Sequence, residues 1–337
     1  MFRGTFRHRA PLTAQRLTTT ILALTILLIA AGLVGISVGG VSIPIGKIVG
    51  SIAGSETLSE VERTILLSIR LPRLILAMGV GAGLSVAGLV FQALLRNPLA
   101  EPYILGISSG GTVGTLLALS FSLGVIGTAF SSFAGSALVM ILVYGIAQRR
   151  GQMDTNALLL AGVMTGAFFN AIVLLIIAVT NQELRNAFLW LMGNLSGATS
   201  EATAIVCSTV LLASLLLLIH ARNYNLIATG DETALQLGVN VKNVKRLSYL
   251  VASLITGLVV SVSGVVGFVG LIIPHICRML FGPDHRLLLP ASFLTGATFL
   301  VLADLVSRTV LAPGEIPVGA VTAAIGAPVF IYLLRKT

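Results

Sequence analysis

ARNYNLIATGDETALQLGVNVKNVKR, residues 221–246, is the longest strongly polar interval in a chain of 337 residues that is otherwise almost continuously apolar. Six charges lie within it: Arg222, Asp231, Glu232, Lys242, Lys245 and Arg246. Apolar runs of membrane-spanning length flank it, Ala202–His220 before and Leu247–Ser263 after. Asp231, Glu232 and Thr233 read as a helix start, with acidic side chains over the positive end of the helix dipole. Ala234, Leu235 and Leu237 give that helix an apolar side, and Gly238 is its natural stop. A helix this short is unstable alone in water, so the pattern predicts something for it to pack on. The interval reads as the place where a soluble partner grips a membrane-embedded chain.

Composition carries the same message. Hydrophobic residues make up 56% of the chain and charged residues 10%, with a mean hydropathy of +1.01. A soluble domain carries about 25% charged residues, so the expectation is an all-α polytopic membrane protein. No polar block is long enough to fold separately, which predicts one integral-membrane domain over residues 1–337 with a basic tail over 1–18. The net charge of +9 records membrane orientation rather than a nucleic-acid partner. The two cysteines, Cys207 and Cys277, sit in apolar surroundings without metal-type spacing.

About ten spans can be marked. They are Thr19–Val38, Leu74–Leu95, Ile104–Phe121, Phe130–Ala147, Ala157–Val179, Ala202–His220, Leu247–Ser263, Val265–Phe281, Leu287–Leu311 and Pro317–Leu334. With the N-terminus cytoplasmic, six of the 21 Lys and Arg fall outside (Lys47, Arg63, Arg70, Arg73, Arg185 and Arg308) and the rest inside. That is the direction the positive-inside rule requires, and it places both termini and the 221–246 loop in the cytoplasm. Small residues at four-residue spacing, such as Gly79 and Gly83, predict a tightly packed bundle.

Several motifs fail on inspection. GGVSIPIGKI (Gly39–Ile48) lacks the spacing and the Ser/Thr of a phosphate loop, and GVVGFVGLIIPH has no βαβ context. Asp304 is the one acid well inside a span, and Arg308 at i+4 makes a local ion pair the simpler reading than a coupling-ion site. His275 has too few neighbours of ligand type for a metal site. Pro274 should kink or end its helix. Arg70 and Arg73, with Arg308 at another outer helix end, fit either ordinary membrane anchorage or the carboxylates of an extracytoplasmic partner.

RLPR (Arg70–Arg73), GAGLSVAGLVFQALLRNPLAEPYILGISSG (Gly81–Gly110) and GDETALQLGVNV (Gly230–Val241) resemble the type II ABC importer permeases for iron-siderophores, haem and cobalamin. GVVGFVGLIIPHICR, GPDHRLLLP, LADLVSR and EIPVGAVTAAIGAPVFIYLL continue the resemblance to the C-terminus. It implies a non-enzymatic transport subunit of the bacterial cytoplasmic membrane, paired with a second permease subunit as a homo- or heterodimer. Two cytoplasmic ATPase subunits would hold the ATP and Mg, and this chain would bind no cofactor or metal. An extracytoplasmic binding protein would deliver cargo, an iron(III)-siderophore first and haem or cobalamin next. By the same resemblance, Gly230, Asp231, Glu232, Thr233, Ala234, Leu235, Leu237 and Gly238 form the ATPase-coupling element. Arg70, Arg73 and Arg308 match arginines that dock the binding protein, and Gln92, Asn97 and Pro98 are expected near the pathway or its inner gate. An ion-coupled secondary transporter is the alternative from a different class.

Overall fold

The computed structural model describes residues 12–39, 41, 43–52, 58–149, 152–179, 192–312 and 314–336. Arg3, Arg7 and Arg9 of the basic tail, Arg150 and Arg185 lie outside them. Fourteen helices are numbered here among the described residues, and the only strands there are a two-residue antiparallel pair, β1 (Gln148–Arg149) and β2 (Gln152–Met153).

The order begins with α1 (Ala14–Ser37), α2 (Ile45–Ile52), α3 (Glu60–Thr64) and α4 (Leu71–Leu95). It continues with α5 (Ile107–Ser120), α6 (Gly124–Ala147), α7 (Thr155–Val179) and α8 (Ser200–Ile219). The polar interval supplies α9 (Ala221–Thr229) and α10 (Asp231–Gln236), followed by α11 (Val241–Ser263), α12 (Val269–Phe281), α13 (His285–Thr309) and α14 (Val318–Lys336). Seven helices among the described residues are long and apolar enough to cross a membrane; α5, α12 and the last apolar run are shorter. These ten apolar helices overlap the ten predicted runs, three of them shorter than a full span.

Local chemistry explains where the boundaries moved. α1 starts before Thr19 because Thr13 caps it, accepting from the Arg16 amide at 3.2 Å. The chain widens into a π-helical stretch over Ile65–Arg70, just ahead of Pro72, whose missing N–H and ring disturb the i to i−4 ladder. Pro274 neither ends nor splits α12, which runs through it from Val269 to Phe281.

The centre is α4, apolar on every face and buried along almost its whole length. α8, α11, α12 and α13 all pack against it, while α5, α6 and α7 form a second group joined through α11. Two contacts show how close the approach is. A Cβ on Gly81 would sit 2.2 Å from the Gly296 carbonyl oxygen, and one on Gly88 would sit 2.0 Å from that of Gly270. No side chain fits at either crossing, so α13 and α12 meet α4 backbone to backbone.

Gly81→Leu therefore forces α4 and α13 apart. The expected cost is about 3 kcal/mol or more, seen as a large fall in the detergent melting temperature or failure to accumulate in the membrane, while Ala82→Gly at the neighbouring position is far milder.

Candidate functional site

Three polar regions stand out of the apolar bundle. The first is the 221–246 interval. α10 starts at Asp231 and stops before Gly238, whose φ of +84° lies in the left-handed region that favours glycine. Its apolar residues divide between the bundle and the outside. Ala234 is fully buried, but Leu235 and Leu237 are 56% and 61% exposed. Helix α10 thus seats one small residue on the bundle and holds two leucines outward beside exposed Glu232 and Thr233.

Side-chain bonds fix α10 and the adjoining α9 to their surroundings. The Lys245 ammonium, on α11, meets Asp231 at 2.5 Å. Tyr224 and Ser248 are joined by a 2.7 Å hydrogen bond, tying α9 to α11. Asn225 donates to Asp284 at 2.9 Å and accepts from the His285 amide at 2.9 Å, tying α9 to the start of α13. The Arg286 guanidinium, helped by Asn225, holds the Asp284 carboxyl down at about 2, so this cap stays ionised across the neutral range.

The second region is the end of α4 beneath α10. Gln92 is 3% exposed; its amide donates to Leu271 O at 3.2 Å and accepts from Arg278 at 3.1 Å. Arg96 adopts a left-handed conformation (φ +47°), and Asn97 accepts from the Leu99 amide at 2.9 Å. Together with Pro98 this turns the chain sharply out of the helix. A polar cleft of about 560 Å³ brings Arg96, Asp154, Asn156 and Asp231 together. The structure therefore places the turn containing Asn97 and Pro98 beside α10, while Gln92 sits above it, packed on α12.

The span expected from Val265 is broken. α11 ends at Ser263 and α12 begins only at Val269, with Phe268 left-handed at φ +69°. Backbone amides in this gap find side-chain acceptors: Glu101 accepts from Phe268 N at 2.7 Å, and the Tyr103 hydroxyl accepts from Val266 N at 3.0 Å. Nonhelical backbone inside a membrane protein needs such partners. Glu101 and Tyr103 had no assigned role in the sequence, although an acid inside NPLAEPYILG was the available signal.

The third region, at the far end of α4, gathers the three arginines. Arg73 pairs with Asp304 at 2.9 Å and, through its other amino group, with Glu315 at 2.9 Å. Arg308 pairs with the second Asp304 oxygen at 3.0 Å and donates to Gly35 O at 2.9 Å. Arg70 donates to the carbonyls of Ile36, Ser37 and Val41. Asp304 is thus held between two guanidinium groups: that of Arg308, as the four-residue spacing implied, and that of Arg73, which the spacing did not reveal. None of the three arginines extends freely; Arg70 and Arg73 are 6% and 7% exposed, and Glu315, at 44%, is the open side of the cluster. His275 lies against the Phe330 ring, and no cluster of metal-ligand type occurs among the described residues.

With this geometry in view, comparison with known proteins decides the family. Residues 26–336 match the FecCD transport family. The chain belongs to that family. It is 44% identical over 277 residues to the cobalamin import system permease protein BtuC of Halobacterium salinarum, covering 82% of this chain and 74% of that one. It is 42% identical over 280 residues to the hemin transport system permease protein HmuU of Yersinia pestis, covering 81% and 83%. A solved inward-facing structure of a metal-chelate type ABC transporter superposes with a TM-score of 0.86 at 32% identity, covering 95% of this chain and all of that one. This FecCD member is accordingly an integral-membrane protein of the ABC importer permease class.

The buried cluster makes an asymmetric prediction. Asp304→Asn leaves two buried guanidinium groups undercompensated and should cost about 3–5 kcal/mol. Glu315→Gln removes a partly solvated partner and should cost about 1 kcal/mol or less. Thermal melts of the two variants in detergent check the difference; equal losses would show that Asp304 is not the central counter-charge.

Proposed function

We propose that this FecCD chain is the membrane-spanning half of an ATP-driven importer, acting beside a second permease subunit in the bacterial cytoplasmic membrane. Two ATPase subunits bearing ATP and Mg grip α10 from the cytoplasm and drive alternating access along the dimer interface. The observation that carries this reading is the outward display of Leu235 and Leu237 on and just after a short helix that Asp231 anchors, beside α9, which Tyr224 and Asn225 anchor. A short helix presenting apolar side chains to water at a membrane face fits a protein partner better than solvent.

The cargo on this reading is a metal chelate delivered by an extracytoplasmic binding protein, with an iron(III)-siderophore first. Haem or cobalamin is the second reading, favoured by the 44% and 42% identities to permeases named for cobalamin and hemin, against 38% to one named for iron(3+)-hydroxamate. Docking of the binding protein uses the end of α4 that holds Arg70, Arg73 and Arg308, where partner carboxylates would approach beside Glu315. An ion-coupled mechanism finds little support in Asp304, whose two oxygens already face two arginines.

Reconstitution tests the whole reading. Proteoliposomes holding the permease, its ATPase and its binding protein should take up labelled chelate only with ATP, and comparison of siderophore, haem and cobalamin identifies the cargo. Accumulation by the permease alone under an ion gradient would overturn it. Within that system Leu235→Asp with Leu237→Asp should reduce binding-protein-stimulated ATP turnover about ten-fold or more, the loss expected when two hot-spot leucines are replaced.

A further inference from the structure

Between α9, the turn after α10 and α11 lies a groove of about 700 Å³, whose edge includes Leu237 and Gly238 of the coupling element. Its upper lining includes His220, Arg222 and Arg246, and its floor includes Leu226, Leu247 and Leu250. Among the described residues neither Arg222 nor Arg246 has a carboxylate partner, whereas Arg73, Lys245, Arg286 and Arg308 all do. No acidic residue lines the groove.

Its place in the fold narrows the occupant. His220 immediately follows the apolar helix α8, so the cations stand where that span meets water. Leu250 lies nine residues into α11, about 14 Å along the helix axis from its start. On α11, Leu247, Leu250, Leu254 and Leu258 share one face, and none of them is buried. On α8, Leu212, Leu215, Leu216 and Ile219 are likewise exposed, so the floor runs continuously into the bundle's outward apolar surface. A water-soluble subunit can reach the arginines, but the leucine floor continues toward hydrocarbon.

We propose that this groove binds one anionic phospholipid, its phosphate held by Arg222 and Arg246 and an acyl chain laid along Leu247, Leu250 and Leu254. A guanidinium pair matches phosphate oxygens through charge-assisted, bidentate hydrogen bonds, and basic pockets between membrane helices are suited to anionic head groups. The proposal does not depend on the cargo, and it places the lipid next to the surface that the ATPase is proposed to grip, with Leu237 and Gly238 at their shared edge.

Native mass spectrometry of the full chain in detergent, with added phosphatidylglycerol or phosphatidylcholine, tests it. The wild type should retain phosphatidylglycerol preferentially. Arg222→Gln with Arg246→Gln should weaken that retention about 25-fold, at roughly five-fold per cation near a membrane surface. Arg222→Lys with Arg246→Lys, which keeps both charges, should lose much less, separating lost recognition from lost folding. Excess inorganic phosphate should fail to displace the lipid; displacement would make this a phosphate site without an acyl contribution and overturn the assignment. Equal retention of the two lipids, or undiminished retention by the glutamine variant, would also overturn it. So would a glutamine variant that sheds the ATPase from the assembled complex but keeps its phosphatidylglycerol, since the groove would then be a protein contact.

Discussion

Helices in a membrane gain little by hiding apolar surface from one another, because lipid tails are as apolar as leucine. Association has to come from close packing, and in this chain that packing converges on α4. At Gly81 and Gly88 the neighbouring carbonyls of Gly296 and Gly270 occupy the space a Cβ would need. These crossings set the register of α13 and α12 against α4, and α8 and α11 close the remaining sides. The rest of the architecture is arranged around a helix with almost no free surface.

The same solvent accounts for the polar groups. Hydrocarbon offers no hydrogen-bond partners, so buried polar atoms depend on the chain itself. At one end, Asp304 serves Arg73 and Arg308 together, and Arg70 is absorbed by carbonyls of the last turn of α1 and of Val41 just beyond it. In the interior, the gap between α11 and α12 relies on Glu101 and Tyr103 reaching across from the segment after α4. These are structural roles in the isolated chain. On the docking proposal, a partner's carboxylates enter a network that is already balanced, so any gain is a difference between two paired states rather than the full worth of a new ion pair.

Much of this was legible in the sequence because its signals are local or compositional. The long apolar runs gave the spans, the acids before Ala234 gave the start of α10, and Gly238 gave its stop. The four-residue spacing of Asp304 and Arg308 gave their ion pair. What escaped depends on contacts far apart in the chain. Nothing near Val265 says that the helix waits until Val269, since the groups that satisfy the intervening backbone come from residues 101 and 103. Arg73 looked like a surface cation because its partners lie at 304 and 315. For Leu235 and Leu237 the apolar pattern shows only that a helix has a face to cover, without saying whether the cover belongs to the same chain; the polar interval around them and the family resemblance were what pointed to a partner.

That last point bears on how α10 could transmit force. A six-residue helix cannot act as a stiff rod by itself. Here it is joined to α11 through Asp231 and Lys245, and α9 beside it is joined to α11 through Tyr224 and to the start of α13 through Asn225. Both long helices pack on α4. Displacing α9 and α10 together while the bundle stays still would break the Asp231–Lys245 ion pair and strain the Tyr224 and Asn225 hydrogen bonds, whereas moving α9 to α13 as a body around α4 leaves them intact. A partner that contacts α10 differently in its two states would therefore bias the disposition of whole helices, which is the differential interaction any ligand-driven change of conformation requires.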